Sequence, residues 1–173
     1  MAQPIPHSLS LGMQNQQRDI AVLSRDGQSP GLFWLGGYNS DMMGQKAQAI
    51  DIFGQENGLA VTRFDYMAHG QSTGDYMQAC ISTWLEDAIA VFENYAVGPQ
   101  ILIGSSMGGW LAMLLNRHLM KSGKGNLIKA MLPIGLVFLA VGALGQVFAK
   151  LAVILDPRSG ASGSSVDEGA THG

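Results

Sequence analysis

The residues with the clearest capacity for chemistry are Gly104-Ser105-Ser106-Met107-Gly108, a G-x-S-x-G pattern. A serine hydroxyl is a weak nucleophile until its surroundings activate it and stabilise the oxyanion it creates. The chain has 23 glycines, so the pattern alone carries little weight, and its setting decides. It follows the apolar run Gln100-Ile101-Leu102-Ile103 and precedes Trp110-Leu111-Ala112-Met113, as a strand–turn–helix corner requires. At such a corner, side chains at Gly104 and Gly108 would collide with the adjoining strand and helix. The helix amino terminus would turn free N–H groups toward the serine, with the Met107 N–H as one oxyanion donor.

A second donor is expected from the loop after an earlier strand. Leu35-Gly36-Gly37-Tyr38 occupies that place, so the N–H of Tyr38 or Gly37 is the candidate. Asp65 precedes the serine, whereas the acid that partners a G-x-S-x-G serine follows it in the chain. It is therefore expected to tie its own loop through backbone hydrogen bonds. His69 is expected to pack in the same loop, and His118 to lie exposed on the helix behind the serine. Ser105 is expected to turn away from the site.

These residues need rigid elements behind them. Asp19–Ser24, Gly31–Leu35, Leu59–Phe64 and Gln100–Ile103 read as short strands, and 126–133 fits a further one. Ser40–Asn57 reads as a helix with Met43, Ala47, Ile50 and Phe53 as its apolar stripe, stopped by Gly58. Ile81–Tyr95 reads as a helix capped by Ser82, with Leu85, Ile89 and Phe92 inward and Glu86 and Asp87 favoured in the first turn. Met107–Met120 reads as a third helix. Short strands alternating with helices predict an α/β, doubly wound, mostly parallel sheet with ligands at the carboxyl ends of its strands. Residues 1–18, polar and Gln-rich, read as a loose or edge segment.

Length and composition fit one domain: 173 residues, 47% of them hydrophobic. A net charge of −3 gives no electrostatic case for nucleic acid. The single cysteine, Cys80, allows neither an internal disulfide nor a cysteine metal cluster. No secretory signal is legible, and cytoplasmic is the default compartment.

Several stretches together resemble one subgroup of the α/β-hydrolases, the mitochondrial acyl-protein thioesterase and acyl-glucuronide esterase of animals and its bacterial relatives. They are Pro30-Gly31-Leu32 through Tyr38, Gly44-Gln45-Lys46-Ala47, Arg63-Phe64-Asp65-Tyr66, and Gly98-Pro99-Gln100-Ile101-Leu102 running into Gly104 through Trp110. The resemblance covers about residues 20–131. It implies a serine hydrolase acting on thioesters or carboxylic esters through an acyl-enzyme on Ser106, with no metal or cofactor. It also implies a mitochondrial alternative for the compartment.

Beyond residue 131 the resemblance stops, so the fold is expected to be incomplete, with hydrolase sequence over 19–134. Residues 135–155 are apolar, 156–173 form a Gly/Ser-rich tail, and 130–149 carry no charge. Three origins are open for this stretch: a frameshifted terminus, a short buried helix followed by a strand at Leu151–Leu155, or a membrane-spanning helix. Only the second offers a triad, with Asp156 as acid and His172 as base. The competing functions are an esterase or thioesterase, impaired if base and acid are lacking; a non-catalytic acyl-binding module; and a membrane-anchored esterase.

Overall fold

The computed structural model describes residues 3–12 and 17–134. Six strands form one sheet in the order β1-β2-β4-β3-β5-β6. They are β1 (Ile5–Leu11), β2 (Arg18–Arg25), β3 (Gln28–Leu35), β4 (Leu59–Phe64), β5 (Gln100–Ser105) and β6 (Ile128–Ile134). β3, β4, β5 and β6 run parallel, and β1 and β2 join antiparallel at one edge. The sheet is thus mostly parallel, as its strand–helix alternation predicts. The polar amino-terminal stretch supplies the edge strand, pairing Ile5 through Leu11 with Ser24 through Arg18.

Helices α1 (Gln45–Glu56), α2 (Ile81–Tyr95) and α3 (Met107–Lys121) connect the parallel strands. The core lies on both faces of the sheet. One cluster joins Phe33, Leu35, Phe64 and Leu102 to the α2 and α3 residues Val91, Phe92, Leu111 and Leu115. The other joins Leu32, Trp34, Ile101 and Ile103 to Ala47 and Ile50 of α1. Burial on both faces explains why β3 and β5 read as continuous apolar runs rather than alternating ones.

Two helices differ from their sequence reading. α1 begins at Gln45, not Ser40. The Asp41 carboxylate accepts from the Met43 N–H, and the Met42 N–H donates to Asp65, which holds this stretch in a turn. Met43 is consequently exposed and leaves the apolar stripe. In α2, Trp84, Ala88, Val91 and Phe92 face inward, while Leu85 and Ile89 are only half-buried. Its cap position is Cys80 rather than Ser82.

Asp87 does not serve the helix dipole. It is fully buried, and accepts from Arg18 Nε at 2.6 Å and from the Met67 N–H at 2.8 Å. Burial pushes its carboxyl above the ordinary range, and the two bonds pull it back. Removing one partner of a buried pair strands the other. Asp87→Ala is therefore expected to cost about 3 kcal/mol or more in urea unfolding.

Among the described residues, no helix is long and apolar enough to cross a membrane. Residues 130–134 of the uncharged stretch lie in β6, not in a helix. The rest of that stretch, the Leu151–Leu155 strand, Asp156 and His172 lie outside the described residues.

Candidate active site

Ser106 stands between the last residue of β5 and the first of α3, with φ 51° and ψ −115°. Left-handed backbone is uncommon for a residue with a side chain, and persists only where neighbours over-determine it. Here they do. The Ser106 N–H donates to the Ile134 carbonyl at 2.9 Å, and its own carbonyl accepts from the Gly109 N–H at 2.9 Å. The corner is clamped on the β6 side and on the helix side, and the hydroxyl is left exposed. Among the described residues, nothing bonds that hydroxyl.

The glycines answer to close approach. A Cβ on Gly108 would run into the Leu35 carbonyl oxygen, with the Gly36 oxygen at 2.5 Å. One on Gly104 would strike Gly108, with the Gly109 nitrogen at 2.5 Å. The helix therefore starts directly against the end of β3, which brings the β3 loop to the corner. Gly37 lies beside it: a Cβ there would come 3.1 Å from the Ser105 oxygen and 3.6 Å from Ser106 Cβ.

The loop after β3 is tied from several sides. The Gly37 carbonyl accepts from Ser40 Oγ at 2.7 Å and from the Ser40 N–H at 3.2 Å. Asn39, with φ 53°, donates its N–H to His69 Nε2 at 3.1 Å. With Nε2 accepting, the proton sits on Nδ1, which donates to the Met67 carbonyl at 3.1 Å. The Trp84 indole N–H meets the same carbonyl. Tyr38 sets its ring edge-on near His69 and Trp84, and its hydroxyl meets that of Tyr76. Among the described residues, the N–H groups of Tyr38 and Met107 have no acceptor.

His69 is thus a buried support for the loop. His69→Ala strips the acceptor from the Asn39 N–H, and an expected loss of about 1 kcal/mol is measurable by thermal unfolding. Asp65 is likewise a support, accepting from the Met42 N–H at 2.6 Å and the Gln71 N–H at 2.8 Å. Burial raises its carboxyl against the pull of those two bonds. His118 is exposed near the end of α3.

A cavity of about 560 Å³ opens at this end of the sheet, lined by Trp34, Tyr38, Asp41, Lys46, Ser105 and Ser106 among others. A smaller cavity of about 370 Å³ lies at the opposite end of β4, by Arg25, Gly58 and Leu59. Two features of the larger cavity differ from or escape the sequence reading. Ser105 does not turn away: its Oγ accepts from Lys46 Nζ at 3.0 Å. Lys46 escapes that reading, because a lone lysine in an amphipathic stretch carries no local signal.

A mostly parallel sheet with an exposed serine at the β5–α3 corner, and the unbonded N–H groups of Tyr38 and Met107 beside it, defines an α/β-hydrolase fold. The chain is similar to a palmitoyl-protein thioesterase of the mouse, ABHD10, described as mitochondrial, with 38% identity over 106 residues, 61% of this chain and 36% of that protein. The chain thus spans about a third of the length of the curated relatives it matches. Among solved structures, a protein from Agrobacterium vitis S4 superposes with a TM-score of 0.71 at 35% identity, covering 87% of this chain and 62% of the other. Mouse alpha/beta hydrolase domain-containing protein 10 superposes with a TM-score of 0.63 at 30% identity, covering 83% and 59%. No family model matches the chain.

Proposed function

We propose that this chain is a hydrolase of thioesters or carboxylic esters that forms an acyl-enzyme on Ser106. The observation that carries the proposal is the exposed, left-handed Ser106 on a corner clamped by backbone on both sides, facing a cavity of about 560 Å³. Ser106 Oγ adds to the carbonyl carbon and gives its proton to a base. The carbonyl oxygen becomes an oxyanion held by the N–H groups of Met107 and of Tyr38 or Gly37. The C–S or C–O bond then breaks, and the thiol or alcohol leaves with a proton. Water adds to the acyl-enzyme and releases the acid and the free serine.

The thioesterase names of the relatives support acyl thioesters as the substrate class, and their mitochondrial designation supports that compartment over the cytoplasmic default. Acyl binding without turnover is the second reading, which needs only the cavity of about 560 Å³. A fluorophosphonate probe separates the two. Labelling at micromolar probe, mapped to Ser106 by mass spectrometry, is the expected result, and an unlabelled chain overturns the hydrolase proposal.

A further inference from the structure

Lys46 Nζ is a charged group in the cavity that the ester chemistry above does not use. The ammonium carries three donors. One meets the Ser105 hydroxyl at 3.0 Å, a neutral partner, and none of the ion pairs among the described residues includes Lys46. The two remaining donors have no described acceptor. The arginines of the sheet are committed: Arg18 to Asp87 and Glu86, Arg25 and Arg63 to Asp51. Among the described residues, the carboxylate lining the same cavity is that of Asp41, which is exposed and accepts from the Met43 N–H at 2.8 Å.

The tether fixes where the charge sits. Ser105 is buried at the end of β5, and the next residue is Ser106. Consecutive Cα atoms are about 3.8 Å apart. The ammonium therefore lines the same cavity as the serine, on a half-buried side chain held by a fixed hydroxyl. A cation held in place but not neutralised attracts an anion, and does so more strongly where the cavity walls keep water out.

We infer that Lys46 forms an anion subsite, so that the cavity prefers esters carrying a carboxylate a few bonds from the scissile carbonyl. The inference rests on the hydrolase proposal for its kinetic consequence, but not for binding. Two pairs of substrates test it and locate the charge. The p-nitrophenyl monoesters of glutaric and pentanoic acid place or omit a carboxylate on the acyl side. The butanoates of 3-hydroxybenzoic acid and of phenol do so on the leaving-group side. In at least one pair, kcat/KM is expected to favour the anion by roughly two- to fivefold in the native chain. Lys46→Met should erase that preference, Lys46→Arg should keep part of it, and added salt should weaken it.

A binding arm stands apart from turnover. Monomethyl glutarate and methyl pentanoate are titrated into the Ser106→Ala chain, with and without Lys46→Met, by ligand-observed NMR. The anionic ester should bind more tightly, and lose that advantage with Lys46→Met. If the chain turns nothing over yet the anion still binds through Lys46, the hydrolase proposal falls and the subsite stands. If the ratios of anionic to neutral ligand are the same with and without Lys46, in both arms, the subsite is overturned and Lys46 only braces Ser105.

Discussion

Under the hydrolase proposal, Ser106→Ala is expected to abolish fluorophosphonate labelling and to lower ester or thioester turnover by at least about 10³-fold, while the chain unfolds at nearly the native urea concentration. The two halves of this result come from different parts of the corner. Without Oγ no acyl-enzyme forms, and only the N–H donors and substrate binding remain to accelerate attack by water. The fold, by contrast, uses the backbone of Ser106 and not its hydroxyl. The N–H bond to Ile134 and the carbonyl bond from Gly109 survive the substitution. The side chain is exposed, so stability should stay within about 0.5 kcal/mol. Steady-state kinetics and urea unfolding on the same preparations check both. Unchanged turnover would assign the chemistry elsewhere.

Gly108→Ala is expected to have the largest effect on the fold. Its new Cβ would meet the Leu35 and Gly36 carbonyl oxygens, both backbone, so no side chain can swing away. Either α3 must retreat from β3 or the corner must open, and each separates Gly37 from Ser106. Overpacking of a core commonly costs about 1–3 kcal/mol where side chains can adjust, and here the cost should exceed that. A loss of this size is a large part of the 5–15 kcal/mol that holds a domain together. Gly58→Ala is the contrast. Gly58, unlike Gly108, has a positive φ, 67°, but a Cβ there meets nothing within 4 Å. Only the backbone cost of about 1–2 kcal/mol remains. Urea unfolding followed by circular dichroism should rank the two variants in that order, and equal losses would remove the close-approach account of Gly108.

What could be read from the amino acids was what they determine locally. β4 and α2 fall on their expected bounds because apolar runs and helical spacing are local. The β5–α3 corner was legible because its glycines answer to a contact built into the turn. The errors have long-range causes. Asp65 sets the start of α1 from across the sheet, through Met42. The inner face of α2 includes Asp87 because Arg18, on β2, comes to meet it. Ser105 faces the cavity because Lys46, from α1, bonds it. Each is a polar partnership between residues far apart in the chain, and no spacing rule reports such a pairing.

The strand order also bears on how the site is assembled. β3 is flanked by β4 and β5, both later in the chain. A chain emerging from the ribosome can complete β1 through β4 while the β5 side of β3 has no neighbour. Leu32, Phe33, Trp34 and Leu35 then form an open apolar edge, the kind that invites pairing with other chains. β5 closes that edge and brings Ser106 in the same movement. The Gly37–Tyr38 loop is thus built first, as half a mould, and Ser106 arrives with the piece that seals it. Slow synthesis between residues 64 and 100 would prolong the vulnerable interval, and a chaperone that shields an apolar strand edge would be of most use there.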